Sequence, residues 1–205
     1  MTRPSNPEMP KIILEAAEKI VSAKGHEALN MRSLAADVGV TPTTLYYYFK
    51  SREYILLRLK VRAARLLNDS VHRVDISGSP HDVIRALGQA YIEFAETHPQ
   101  LYRLLVEVRF EPSIAGEGDQ KIMRLSYDAA RRLLQSFVDQ GVCQCDPDKR
   151  AMIGWILLHG FASLLVAGTL EWVSEVDREE LKRSFLDYYS SGPWDDDESD
   201  VGPAS

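Results

Sequence analysis

The sequence predicts an all-α protein of about nine helices: a three-helix N-terminal head containing a helix-turn-helix, a long fourth helix, and a helical bundle beyond it. Three observations carry this expectation. Apolar residues recur at helical spacing along the chain, and no stretch alternates as a half-buried strand would. Gly25, Gly39, Pro42, Pro80, Pro99 and Pro147 fall between the apolar stripes, where helices start and stop. With 205 residues, 45% hydrophobic and 26% charged, the chain is long and apolar enough to bury a core.

The elements follow in order. Ile13, Ala16, Ala17 and Ile20 form one stripe, closed by Gly25. Leu34, Ala35 and Val38 form a short second helix, closed by Gly39, and a third starts at Pro42. A long fourth helix runs from Arg52 to about Ser70 on Ile55, Leu56, Leu59, Ala63 and Leu66. After the Ile76–Pro80 break, Val83, Leu87, Ala90, Tyr91 and Phe94 mark a helix that ends before His98-Pro99. A short helix covers about Gln100–Phe110, and a long one built on Ile122, Leu125, Ala129, Leu133 and Phe137 reaches Gln140. The next begins at Pro147, and the last covers about Arg178–Tyr189. Residues 191–205 read as a disordered acidic tail.

Residues Asn30–Glu53 are the most informative window. Asn30 is a good N-cap, Ala35 is small where a second helix must cross, and Gly39 supplies the left-handed turn. Thr41 caps the next helix, and Pro42 occupies its first position, where a missing N–H costs nothing. Two short helices at a tight Gly turn are the sequence form of a helix-turn-helix. The second buries Leu45 and leaves Thr43, Thr44, Tyr46 and Tyr47 near its surface, hydroxyls and rings suited to base edges, phosphates and thymine methyls. Lys50 lies just beyond, and Ser51 caps a helix whose start carries Arg52, a natural phosphate position. A Tyr-rich helical hairpin without DNA is the plainer alternative.

Charge supports the DNA reading. The net charge is −6, yet residues 1–65 hold eleven Lys/Arg against six Asp/Glu, a net of +5, and the remainder a net of −11. A basic head on an acidic body points to an anionic partner for the head. Cys143 and Cys145 are too close for a zinc pair and have no second pair to complete a site, so no metal and no cofactor is expected. The five histidines are scattered, and no nucleophile–base pair or Gly-rich phosphate loop is visible, so an all-α enzyme or carrier is the minor alternative. Ala151–Leu170 is twenty residues without a charge, long enough to span a membrane. Its glycines, Ser163, Thr169 and His159 favour instead a helix buried on nearly all sides in a cytoplasmic protein.

Ile12-Leu14-Ala16-Ala17, Gly25 and the run M-R-S-L-A-A-D-V-G-V-T-P-T-T-L-Y-Y-Y-F-K-S-R-E resemble the DNA-binding head of the TetR family of bacterial regulators, over about Lys11–Leu57. The resemblance implies a DNA-binding domain at 1–51 and a helical ligand-binding and dimerisation domain at 52–190. It places Thr41, Thr43, Thr44, Tyr46, Tyr47 and Lys50 along the recognition helix and its exit. Arg52 falls where the family has a phosphate-binding Lys, and Arg32 is a further backbone contact. Tyr48 stands where many members have His. Trp155-Ile-Leu-Leu-His159-Gly160 resembles the W…HG signature of one TetR C-terminal subgroup.

The implied partners are double-stranded operator DNA, a second copy of the chain and a small-molecule effector, with no membrane. Gly160, Ser163 and Ala167 would admit a partner helix, and Phe161, Leu164, Trp172, Leu181, Phe185 and Tyr188 would fill the contact. Packing within one chain fits the same residues, and the resemblance decides between the two. A ligand cavity would be lined by Tyr91, Phe94, Tyr102, Met123, Tyr127, Trp155 and His159, although ordinary core accounts for each of them more simply. An apolar or aromatic effector suits such a lining. A repressor released by that effector is the leading expectation, and a regulator without a sensor the alternative.

Overall fold

A computed structural model describes residues 6–110, 114–173 and 177–191 of the protein. The acidic tail beyond Ser191 lies outside the described residues. Among the described residues, nine α-helices of seven residues or more and one four-residue turn of helix make up the fold. They are α1 (Met9–Lys24), α2 (Met31–Val38), α3 (Pro42–Tyr48), α4 (Arg52–His72), α5 (Pro80–Thr97), α6 (Pro99–Glu107), α7 (Glu117–Asp139), α8 (Pro147–Val166), α9 (Leu170–Val173) and α10 (Arg178–Ser190). A 3₁₀ turn at His26–Ala28 joins α1 to α2. Among the described residues nothing longer than an isolated bridge at Gln144 has strand pairing.

The chain forms two compact units. The first runs to Leu67 and takes in Thr97–Met123; the second holds Asn68–Glu96 and the residues from Arg124 on. The head therefore does not close on itself at Ser51. Ile13, Ala17 and Val21 of α1 meet Leu34 and Ala35 of α2, Leu45 of α3, and Ile55, Leu56 and Leu59 of α4. Leu101 and Leu104 of α6 complete the same core. The sequence reading placed α6 only as a short helix, because an apolar stripe does not reveal which surface it covers.

In the second unit α5 and α10 approach closely at Gly88. A methyl group there would sit 3.0 Å from Leu186 Cδ2 and from Tyr189 Cε1, so the absent side chain is what permits the contact. Arg85 donates to Asp187 at 2.8 Å, and Glu96 receives both Arg178 (3.0 Å) and Lys182 (3.1 Å). Arg150 of α8 donates to the Tyr189 carbonyl at 2.8 Å. Burial pushes the Tyr189 phenol up to about 12, so the ring stays neutral in this core.

The structure corrects the reading of α8. The helix was expected to be buried on nearly all sides, yet only 28% of its most apolar stretch is buried in the single chain. Ala151, Gly154, Leu158, Phe161, Ala162 and Leu165 face inward, while Ile153 (54% exposed) and Ile156 (55%) face out. From Ala151 on, the helix has no charge and so no polar face to orient it, and composition cannot separate its core side from its outer side. Among the described residues, α8 alone is long and apolar enough to cross a membrane.

Candidate nucleic-acid interface

The α2–turn–α3 motif is assembled by local chemistry. Asn30 Oδ1 accepts the N–H groups of Arg32 (2.8 Å) and Ser33 (3.3 Å), covering two of the free donors at the start of α2. Gly39 stands at φ 75°, and its N–H and that of Val40 return to the carbonyls of Ala36 (3.1 Å) and Ala35 (2.9 Å). That is a left-handed stop of the kind glycine adopts at least cost. Thr41 Oγ1 accepts the N–H of Thr44 at 3.1 Å and shares a hydroxyl contact of 2.9 Å with Thr44 Oγ1. Leu45 is fully buried beneath the turn.

These constraints turn one side of α3 outward. Tyr47 is 73% exposed and Tyr46 49%; Thr43 and Lys50 are exposed beside them, and Arg32 is exposed on α2. Tyr48 is half-buried, meets the Tyr47 ring edge-on at 5.1 Å, and accepts the N–H of Asn6 at 3.1 Å. The tyrosine at this position thus fastens the segment ahead of α1 to α3.

Arg52 is placed otherwise than the resemblance implies. Its Nη2 donates to the carbonyl of His26 (2.7 Å) and its Nε to that of Leu29 (2.8 Å). The start of α4 also bears the exposed carboxylate of Glu53. Its pKa is held below the ordinary value by a backbone N–H, then by the Ser51 hydroxyl and by Arg52. A helix start already furnished with an acid is a poor seat for phosphate, and the Arg52 side chain is committed to the protein's own backbone. Arg58 pairs with Asp119, and Arg62 pairs with Glu18 at 3.0 Å.

The residues expected to line a cavity are shared between the two units. Tyr91 and His159 meet, with the Tyr91 hydroxyl 3.0 Å from His159 Nδ1, and Trp155 stacks on His159 at 5.0 Å. Phe94 is buried in the same unit, and Tyr127 is half-buried there. Tyr102 and Met123 belong to the first unit, where Tyr102 is buried and Met123 packs against Leu57, Val61 and Ala115. Burial lowers the pKa of His159 below its ordinary value.

The expected partner-facing residues divide as well. Phe161 turns inward and stacks on Phe185 at 4.0 Å, nearly parallel. Gly160 and Leu164 of α8 and Ala167 at its C-cap are exposed, Tyr188 is exposed on α10, Ser163 and Leu181 are half-buried, and Trp172 of α9 is exposed. A methyl group built on Gly160 would meet nothing within 4 Å. Sequence reasoning missed Ile153 and Ile156, which continue the face of Gly160, Leu164 and Ala167 at three- and four-residue steps. Their signal was that spacing, masked by equally apolar residues on the other side.

Comparison with known proteins bears on the family and the fold. Residues 13–59 match the profile described as bacterial regulatory proteins, tetR family. Residues 84–188, more than half of the chain, match a tetracyclin repressor-like C-terminal domain. The chain is 22% identical over 147 residues to the HTH-type transcriptional regulator BetI of Rhizobium meliloti, covering 70% of each protein. A Rhodococcus sp. RHA1 structure of unknown function superimposes with a TM-score of 0.75 at 22% identity, covering 94% of this chain and 99% of that one. A tetR-family regulatory protein from Rhodococcus RHA1 gives 0.67 at 16% identity, covering 90% and 96%. The W…HG subgroup stays a resemblance, carried by Trp155, His159 and Gly160. With a helix-turn-helix built as described and both domain profiles matched in order, the chain belongs to the TetR family of DNA-binding transcriptional regulators.

Proposed function

We propose that the protein is a homodimeric, cytoplasmic repressor that sets α3 of each copy in a major groove of a near-palindromic operator. The observation that carries this reading is the outward face of α3, where Thr43, Tyr46 and Tyr47 stand exposed on a helix fixed by Asn30, Gly39 and Thr41. Tyrosine rings and threonine methyls press on thymine methyls, hydroxyls bond base edges, and Lys50 and Arg32 neutralise phosphates on either side. Thr41 and Thr44 hold the helix start. Arg52 is a positioning residue, since its guanidinium is engaged by His26 and Leu29.

TetR-family regulators form dimers, and two apolar rows support a four-helix contact here. The first is exposed and comprises Ile153, Ile156, Gly160 and Leu164 of α8 with Ala167 at its C-cap; the second, on α10, comprises the half-buried Leu181 and Phe185 and the exposed Tyr188. A symmetric dimer would hold the two α3 helices about one DNA turn apart, about 34–36 Å. The experiment is selection from random duplex DNA with the full chain. Enrichment of two inverted half-sites about 10 base pairs apart supports the reading, and recovery of no common sequence refutes it.

The effector would be a small apolar or aromatic molecule meeting Tyr91, Trp155 and His159, the three expected liners in mutual contact. A ligand acts only through its differing affinity for the DNA-competent and DNA-incompetent forms. The burial of Tyr91, Phe94 and Tyr102 as ordinary core favours a second reading, a regulator with no small-molecule sensor. Release of operator DNA by any member of an apolar compound panel separates the two.

A further inference from the structure

The connection between α7 and α8 holds the chain's two cysteines, and their sulfurs lie 3.5 Å apart. Cys143 is 3% exposed, while Cys145 is half-buried and offers the approach from solvent. The connection is fixed at both ends. Gly141, at φ 69°, closes α7 with the Val142 N–H on the Phe137 carbonyl at 2.9 Å. Asp146 Oδ1 caps α8 by accepting the N–H groups of Asp148 (3.0 Å) and Lys149 (3.1 Å). Residues i and i+2 about the bridge-paired Gln144 share a face, as in a strand. The two thiols are therefore held side by side before any ligand arrives, which lowers the cost of closing a chelate.

The spacing selects the ligand. A linear two-coordinate soft ion would need the sulfurs about 4.6 Å apart, twice a metal–thiolate bond of about 2.3 Å, so 3.5 Å suits a bent S–M–S unit instead. A structural zinc wants four protein ligands, and no group of three His, Cys, Asp or Glu side chains stands together among the described residues. Direct disulfide closure would have to draw the sulfurs in from 3.5 Å to about 2.05 Å, whereas an atom bridging the two takes them as they stand. A pyramidal trivalent centre that takes two sulfurs and carries its own third substituent meets all three conditions.

We propose that Cys143 and Cys145 form a dithiol site for trivalent arsenicals of the type R–As=O. Binding is a condensation without redox change: two As–S bonds form, both S–H bonds break, and the arsenic-bound oxygen leaves as water with the two protons. Arsenic stays trivalent throughout. The adduct staples the connection one residue ahead of the α8 cap.

The test uses phenylarsine oxide with the full reduced chain. One equivalent should consume both thiols together and add one phenylarsenic less two hydrogens to the intact mass. Excess monothiol should leave the adduct in place, and 2,3-dimercaptopropanol should remove it. Cys143→Ser and Cys145→Ser, each checked for retained helicity, should bind on the order of 10² to 10⁴-fold more weakly, as loss of one arm of a chelate requires. Loss of one thiol per equivalent, removal by monothiol, or wild-type affinity in either variant overturns the proposal. The wild-type titration needs no variant to fold, and none of these outcomes touches operator binding.

Discussion

Arg52 donates to the carbonyl oxygen of Leu29 at 2.8 Å, bridging the start of α4 to the chain just before α2. Its second donor reaches His26 at 2.7 Å, so one guanidinium satisfies two carbonyls of the α1–α2 connection. Hydrogen bonds from a charged donor contribute about 1.5–3 kcal/mol, and here the donor is partly buried. Arg52→Ala should lower stability by about that amount in urea unfolding. Arg52→Lys should recover only part of it, since an ammonium cannot present the planar fork. At saturating stability the operator affinity of Arg52→Lys should stay near wild type, which separates a positioning role from a phosphate contact.

Leu104 is fully buried in the head's core although seventy residues of sequence separate it from Leu34. Leu104→Ala should cost about 2–5 kcal/mol. Protection of α1 and α2 amides from hydrogen exchange should fall with it. Unchanged protection in those helices would show that α6 is dispensable to the head.

His159 carries a pH dependence of definite sign. Burial holds its folded pKa below the unfolded value of about 6.5, so the unfolded chain binds the proton more readily. The contribution is complete above about pH 7 and is lost as the pH falls through about 6.5 toward the folded pKa. The Tyr91 hydroxyl lies 3.0 Å from Nδ1, and in the tautomer that leaves Nδ1 unprotonated it donates to that nitrogen, a bond that protonation removes. Urea midpoints between about pH 5 and 8 should drop more steeply for the wild type than for His159→Gln. Parallel curves would contradict this.

Ile156 is the residue to disturb for the pairing of two chains. Ile156→Glu would place an unpaired carboxylate in each half of an apolar contact, a penalty of about 3–5 kcal/mol. Light scattering should show dissociation at concentrations on the order of 10² to 10⁴-fold higher than for the wild type. An unchanged dimer would move the interface off this face of α8.

Much of the architecture was readable because its rules are local. Asn30, Gly39, Thr41 and Pro42 each act within four residues, and the structure places each in the role its chemistry predicts. The helix boundaries at Lys24, Arg52 and Pro147 follow from caps and punctuation of the same kind. What was not readable depends on partners distant in sequence. Arg52 meets carbonyls more than twenty positions away, and α6 packs into a head that its own stripe does not name. On α8, Ile156 and Leu158 are alike in sequence and opposite in burial, because only the neighbours decide which side is inside.

The central claim is that the outer face of α3 and the lysine after it meet DNA. Fluorescence anisotropy of a selected operator, titrated with wild type, Tyr47→Ala and Lys50→Ala across a salt series, tests it most directly. The account predicts weaker binding by both variants at unchanged melting temperature. It also predicts a log–log salt slope shallower by about 0.9 for each phosphate contact that Lys50→Ala removes. Wild-type affinity and slope in both folded variants would contradict it.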